Sequence, residues 1–448
     1  MAPRPVFEVG TLAPTDALER KARLWSVVRV SSGNFLEMYD FMVFGYYASA
    51  IGATFFPSDT PFLSLILSLM TFGAGFLMRP LGAIVLGAYT DVHGRRKGLI
   101  LTLALMSFGI VTIACMPGYA TIGLWAPILV LLGRLVQGFS AGMELGGVSV
   151  YLSEIATPGH KGFYVSWQSA SQQVAVMFAA LVGVALTLVL PAPKMTAWGW
   201  RIPLLLGCAI IPLLFALRRS LSETGEFRAR QHKPSVSEVL RSLIANWNIV
   251  LTGMMMVTMT TVSFYMITAY TPTFANSVLH LAAIDGLIVT LWVGASNLFW
   301  LPVMGALSDR VGRRPLLLAC TLLMLVTAYP VMLWLVRSPS FSRLLVVELW
   351  LSFLFGSYNA AMVVFLTEIM PVSVRTSGFA LAYSLATAVF GGFTPALSTY
   401  LIHLTGNRAV PGLWLSISGA CGLVGGLVGK PDTNSNRSTL NRAKSNFS

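Results

Sequence analysis

Twelve apolar stretches, separated by short charged connections, take up most of this 448-residue chain. They fall near 27–55, 62–90, 98–118, 122–155, 164–190, 200–217, 247–275, 284–307, 316–336, 343–370, 377–404 and 410–429. Backbone in hydrocarbon has no water to bond to, so it spans a bilayer only as helices or as a closed barrel. Runs of roughly 20 apolar residues fit the length of a helix and are too long for a strand. Charged residues make up 10% of the chain, against about 25% in soluble domains. The sequence therefore predicts an all-α membrane protein with twelve transmembrane helices and excludes a soluble globule.

One loop occurs twice. It reads Gly87-Ala-Tyr-Thr-Asp91-Val-His93-Gly94-Arg95-Arg96-Lys97, and again Gly305-Ala-Leu-Ser-Asp309-Arg310-Val-Gly312-Arg313-Arg314. The glycines and the aspartates are each offset by 218 residues (305 − 87 and 309 − 91). A second match pairs Glu154-Ile155 with Glu368-Ile369, and Gly162-Phe163 with Gly378-Phe379. Six spans per copy keep the same topology, so the repeat is a parallel duplication with a central site between two pseudo-symmetric six-helix bundles. The expected layout is a tail at 1–26, bundles at 27–217 and 247–429 joined by a linker at 218–246, and a polar tail at 430–448.

The formal charge of +13 has a membrane explanation, because Lys and Arg collect on cytoplasmic loops. With the N-terminus inside, the inside connections hold Arg95, Arg96, Lys97, Lys161, a cluster over 218–241, Arg310, Arg313, Arg314 and Arg375. Both termini are then cytoplasmic, and nucleic acid is not implied as a partner. Residues 1–26 lack the short apolar region and cleavage site of a signal peptide. Four cysteines lie unpaired within apolar segments, which implies neither disulfide nor metal. No P-loop is present, so transport energy is expected from an ion gradient and no cofactor is implied.

Ionisable groups inside spans are costly and face cavities or partners. Asn34, Glu37 and Asp40 share one face of the first span at spacings of three. Glu37 and Asp40 read as proton carriers or as partners of an Arg on a neighbouring helix, and Glu144 is a further proton candidate. Arg134 is the favoured anchor for a substrate carboxylate, since Arg presents a planar fork of donors; the other reading pairs it with Glu144 or Asp40. Arg79 is a second cation, either for substrate or for the nearby loop. Gln168 and Gln172, at i and i+4 beside several serines, read as cavity lining or as interhelical bonding. In the second half Tyr265, Asn297, Tyr358 and Asn359 are the hydrogen-bonding groups, with no buried cation opposite. Asp91, Gly94, Arg95 and Arg96 with Asp309, Gly312, Arg313 and Arg314 read as gating loops, and Glu154 with Glu368 as contacts that lock them. His93 sits in a solvated loop and is a weak proton carrier. No Ser/His/Asp or metal-ligand spacing supports an enzyme.

The paired Gly-x-x-x-Asp…Gly-Arg-Arg loops resemble the signature of the major facilitator superfamily. Ser32-Gly-Asn34-Phe-Leu-Glu37, Phe76-Leu-Met-Arg79-Pro80, Gly133-Arg134-Leu-Val-Gln137 and Trp198-Gly-Trp200-Arg201-Ile-Pro203 resemble the metabolite–proton symporter family within it. The run from Glu144 to Pro158, with Trp167-Gln-Ser-Ala-Ser-Gln172-Gln173, looks like its citrate and tricarballylate carriers. The resemblance covers about residues 24–415. It implies a monomeric inner-membrane transporter that takes up a tricarboxylate with protons by alternating access. A dicarboxylate or a zwitterionic osmolyte is the alternative cargo. The chain departs at its end, where a short Gly-rich span precedes the polar tail, as an altered or frameshifted C-terminus would give; a weak last helix is expected there.

Overall fold

The computed structural model describes residues 35–93, 95–142, 144–157, 159–219, 241, 244–370 and 375–429. Among these, every regular element is helical. Among the described residues nine helices are long and apolar enough to cross a membrane. A tenth crossing, the sixth in order, is the pair Ala192–Gly199 and Arg201–Ala216, bent by 45°. The first crossing is interrupted at Tyr47, between Phe35–Tyr46 and Ala48–Phe55, and the fourth runs as Trp125–Ala141 and Glu144–Ile155. Large apolar side chains such as Phe108, Leu132, Leu181, Trp292, Phe299 and Val326 point outward, the pattern of helices solvated by lipid tails.

Local chemistry sets several helix starts. Thr60 accepts from the Leu63 N–H at 3.3 Å, with Pro61 in the first helical position, where a missing N–H costs nothing. Ser340 caps the tenth span in the same way, at 3.3 Å from the Arg343 N–H. Gly312 alone joins the eighth span (Ala283–Val311) to the ninth (Arg313–Arg337), with φ at +96°, a conformation that disfavours any side chain.

The first six crossings pack among themselves: Trp125–Ala141 against Pro61–Leu77 and Arg95–Cys115, and Arg201–Arg219 against Arg95–Cys115 and Phe35–Tyr46. The last six do likewise, with Arg313–Arg337 against Phe341–Ile369 and Val410–Val428. The two sets meet most extensively along the fifth (Lys161–Val189) and eighth spans. There the backbones of Gly162 and Gly305 touch so closely that a Cβ on either would collide with the other, as in small-residue membrane contacts.

The last span is better built than expected. Val410–Val428 is a continuous helix, and its glycines have a packing reason. Gly412 and Gly419 let it approach the ninth span at Ala328 and Leu325, while Gly425 meets Met256 of the seventh. Arg314 donates to the carbonyls of Gly426 and Leu427 at 3.3 and 2.8 Å, placing a cation at the negative end of that helix.

Candidate functional site

Two buried ion pairs organise the first half. Arg79 Nη2 donates to Glu37 Oε1 at 2.6 Å, and Arg134 Nη1 donates to Asp40 Oδ2 at 2.7 Å. Both acids come from the first span, one turn apart, so a single helix face presents two carboxylates to two neighbouring helices. Arg134 Nη1 also donates to Gln137 Oε1 at 2.7 Å. Phenyl rings replace water over the guanidiniums. Arg134 lies 3.8 Å above the centre of Phe44, and Arg79 lies 4.6 Å above Phe76 and 5.2 Å above Phe41, distances at which the ring quadrupole attracts a cation.

The arginines differ in what they face. Arg79 borders a small central cavity with Met38, Gln172, Tyr265, Asn359 and Tyr383. Arg134 is fully buried behind Phe44 and does not border it. The space left is about 20 Å³, room for a water molecule. Polar capacity is concentrated around it: Arg79 Nε, Gln168 Nε2 and Asn359 Oδ1 are buried and accept or donate no hydrogen bond. Arg79 Nε and Gln168 Nε2 are unused donors and Asn359 Oδ1 is an unused acceptor, and each one left buried and unpaired costs about 1–3 kcal/mol.

Contacts between the halves lie toward both ends of the cavity's helices. At one end Asp309, the last acid of the eighth span, accepts from the Gly162 and Phe163 N–H groups at 2.9 and 3.1 Å. It thereby caps the N-terminus of the fifth span across the boundary between halves. Arg313 holds Asp309 at 2.7 Å and reaches Glu368 at 3.6 Å. At the other end Thr273 donates to the Gly45 carbonyl at 3.1 Å, and Phe62 stacks on His403 with centroids 3.9 Å apart.

Residues 25–235 match the family Sugar (and other) transporter, and residues 282–447 match the Major Facilitator Superfamily. The chain is 59% identical over 409 residues to the citrate-proton symporter of Salmonella typhi, covering 91% of this chain and 94% of that protein. It is 61% identical over 403 residues to the citrate-proton symporter of Klebsiella pneumoniae, covering 90% and 91%. The chain belongs to the major facilitator superfamily. It is a transporter and not an enzyme. The fold agrees with that of the xylose transporter XylE from E. coli in a partially occluded inward-open conformation, at 18% identity and TM-score 0.72, covering 90% of this chain and 95% of that one.

On this superfamily frame the sequence-predicted residues separate into groups. Glu37, Arg79, Gln172, Tyr265 and Asn359 gather at or beside the cavity. Gln168 is buried next to it and accepts from Ser169 at 2.8 Å. Asn297 does not border the cavity; it donates to Gln173 Oε1 at 3.2 Å and accepts from Ser352 at 2.8 Å, tying the fifth, eighth and tenth spans. Tyr358 points away and donates to the Met256 carbonyl at 2.9 Å. Asn34 and Gly94 lie outside the described residues, as do the side chains of Asp91, Arg95, Arg96, Glu144 and Glu154, the terminal tails and most of the 218–246 linker.

Sequence reasoning missed Thr261, Phe264, Phe355 and Tyr383, which also line the cavity. Each is an ordinary residue in an apolar helix, and only the helix rotation reveals it. It also missed Glu348, a buried acid in the tenth span. Its signal was present, since it is an uncompensated carboxyl inside a span, but it lies close enough to the helix start to read as interfacial.

Proposed function

We propose that the protein takes up citrate, or the closely related tricarballylate, together with protons across the bacterial inner membrane, working as a monomer with both termini in the cytoplasm. The observation that carries this reading is Arg79 on the cavity wall with Glu37 paired to it. A substrate carboxylate and Glu37 compete for one guanidinium. When Glu37 takes a proton, its hold on Arg79 weakens and the fork becomes free for the anion. When the anion leaves, Arg79 recovers Glu37 only after the proton has left. Proton and substrate movement are thereby linked at a single side chain. Arg134 and Asp40 hold the helices behind the site, and Gln168, Gln172 and Asn359 supply hydrogen bonds to the hydroxyl and the remaining carboxylates. The two close relatives are citrate–proton symporters, which supports the same cargo here.

Alternating access follows from the contacts toward the two ends. Release of the fifth-span N-terminus by Asp309 opens the side carrying the repeated loops, and separation of Thr273 from Gly45 opens the other. Citrate carries up to three negative charges, so entry against an inside-negative potential needs more than one proton.

The test is uptake of radiolabelled citrate into proteoliposomes under an inward proton gradient, with tricarballylate, succinate and betaine as competitors. Gradient-dependent uptake inhibited by tricarballylate and not by betaine is expected. Uptake inhibited by betaine or succinate alone assigns the zwitterion or dicarboxylate cargo instead.

A further inference from the structure

Among the described residues the second half holds one fully buried acid that no cation neutralises. Glu348, in the second turn of the tenth span (Phe341–Ile369), is 1% exposed. Among the described residues it joins no ion pair. Neither Oε1 nor Oε2 accepts a hydrogen bond. The Thr271 hydroxyl of the seventh span lies within hydrogen-bonding reach of it, but that hydroxyl donates its own proton to the Met266 carbonyl at 3.2 Å, which leaves it free to accept from a protonated Glu348 and not to donate to an ionised one. An ionised carboxylate in such a place costs several kcal/mol, whereas the neutral acid does not. Glu37 and Asp40 solve the same problem with arginines; Glu348 has only a proton to solve it with.

Its position connects it to both a gate and the cavity. Glu348, Ser352, Phe355 and Asn359 follow at spacings of four, three and four, which puts them on one face of the helix. Phe355 and Asn359 border the cavity. Ser352, between them and Glu348, bonds to Ser296 and Asn297. Across from Glu348 the seventh span stays continuous but changes its hydrogen-bond register: Thr271–Thr273 is set between two π-helical turns, Met266–Tyr270 and Phe274–Val278, and such turns recur at functional sites. This segment joins the halves at the end away from the Asp309 gate. Thr273 donates to Gly45, Tyr270 bonds to Thr399 at 2.8 Å, and Pro272 packs on Gly286.

The ionisable groups on the elements around this end are few. Tyr270 on the seventh span is held by Thr399, and Asp285 opens the eighth span. Arg337 ends the ninth and is exposed, and Arg343, on the Glu348 helix itself, is occupied by Trp334.

We propose that Glu348 is a second proton-binding site, coupled to opening of the Thr271–Thr273 segment. While the segment is closed the carboxyl is dry and holds its proton. When the segment swings out, water reaches the carboxyl and the proton exchanges with that side. The cycle then carries one proton in each half, on Glu37 in the first and on Glu348 in the second. This rests on the proton-coupled reading above and supplies the additional proton that a trivalent anion requires.

The test compares wild type with Glu348→Gln and Glu348→Asp in proteoliposomes, by two readouts. The first is citrate–citrate exchange against gradient-driven accumulation. Gln mimics the permanently protonated acid, so exchange persists while accumulation falls about tenfold or more, and Asp restores part of it. The second needs no substrate: infrared difference spectra on pH titration contain a protonated-carboxyl band that is absent from Glu348→Gln. Accumulation equal to wild type with an unchanged band overturns the proposal. So does joint loss of exchange and accumulation in a folded Glu348→Gln, which marks a packing role. Wild type that exchanges no citrate but keeps the Glu348 band overturns the cargo assignment and leaves the proton site standing.

Discussion

The two halves of this transporter solve opposite electrostatic problems with the same helical frame. The first half buries four charges as two pairs, Glu37–Arg79 and Asp40–Arg134, each shielded by phenylalanine rings. The second half meets the cavity with neutral groups, Thr261, Phe264, Tyr265, Phe355, Asn359 and Tyr383, and keeps Glu348, its one buried unpaired acid among the described residues, off the cavity wall. Duplication supplied the frame, and the charges did not follow the repeat. Of the two repeated loops the described side chains include one gate contact, at Asp309, where an acid meets backbone N–H groups across the boundary. The paired buried charges therefore belong to one half, and the other half meets the cavity with shape and hydrogen-bonding groups.

Within the charged half, Arg79 and Arg134 differ most in what their loss leaves behind. Arg134→Gln strands Asp40 in a fully buried position. Removing one partner of a buried pair costs about 3–5 kcal/mol, so this variant is expected to lose thermal stability in detergent, and Asp40→Asn added to it to recover most of that loss. Arg79 borders the cavity, so Arg79→Gln is expected to fold and to bind citrate about 100-fold or more weakly, in line with the roughly 2–5 kcal/mol attached to truncating a buried charge pair. Arg79→Lys keeps the charge and loses the fork, and belongs with Arg79→Gln in a titration calorimeter. If Arg79→Gln unfolds like Arg134→Gln, or if Arg134→Gln folds and only loses affinity, the division of labour between the two is wrong.

Much of this was legible before any coordinates. The apolar runs fixed twelve crossings because hydrocarbon allows few alternatives for a backbone. The 218-residue offset pointed to two halves and placed Asp309 in the repeated loop, and the spacing of Glu37 and Asp40 put both on one face. What was not legible depends on helix rotation and on neighbours distant in sequence. Arg134 read as the anchor and Arg79 as the weaker cation, yet it is Arg79 that meets the cavity. Nothing in the local sequence says that Phe44 closes over Arg134 from the first span. The glycines of the last span read as weakness, and only the ninth and seventh spans beside them reveal close packing.

The gate gives a moderate effect. Asp309→Asn removes the charge from the fifth-span N-terminus while keeping an acceptor oxygen. Charge at a helix N-terminus contributes about 0.3–1 kcal/mol, up to about 2 when partly buried. The closed end should open a few times more often, read as faster alkylation of a cysteine introduced at Ser308, which is buried in the closed form. Unchanged alkylation would place the locking energy elsewhere, in the Gly162–Gly305 contact.

The smallest effects discriminate best in the neutral half, at two adjacent residues. Tyr358 and Asn359 differ by about 100° around the tenth helix, so only one can face the cavity. Tyr358 donates to Met256 and packs beside Gly422 of the last span; Asn359 borders the cavity with an unsatisfied Oδ1. Tyr358→Phe removes one hydrogen bond and leaves a buried carbonyl, a loss of about 0.5–1.5 kcal/mol. It should lower the melting temperature slightly and leave the citrate KM unchanged. Asn359→Ala removes a group from the cavity wall and leaves the packing between spans intact. It should raise the KM several-fold, by an amount of the same order, with the melting temperature unmoved. The two variants carry similar energies in different observables, so a matched pair of measurements separates a wall residue from a packing residue. If the observables exchange, with Tyr358→Phe raising the KM and Asn359→Ala lowering the melting temperature, the tenth span is rotated in the substrate-bound state and the neutral half moves more during transport than its closed form suggests.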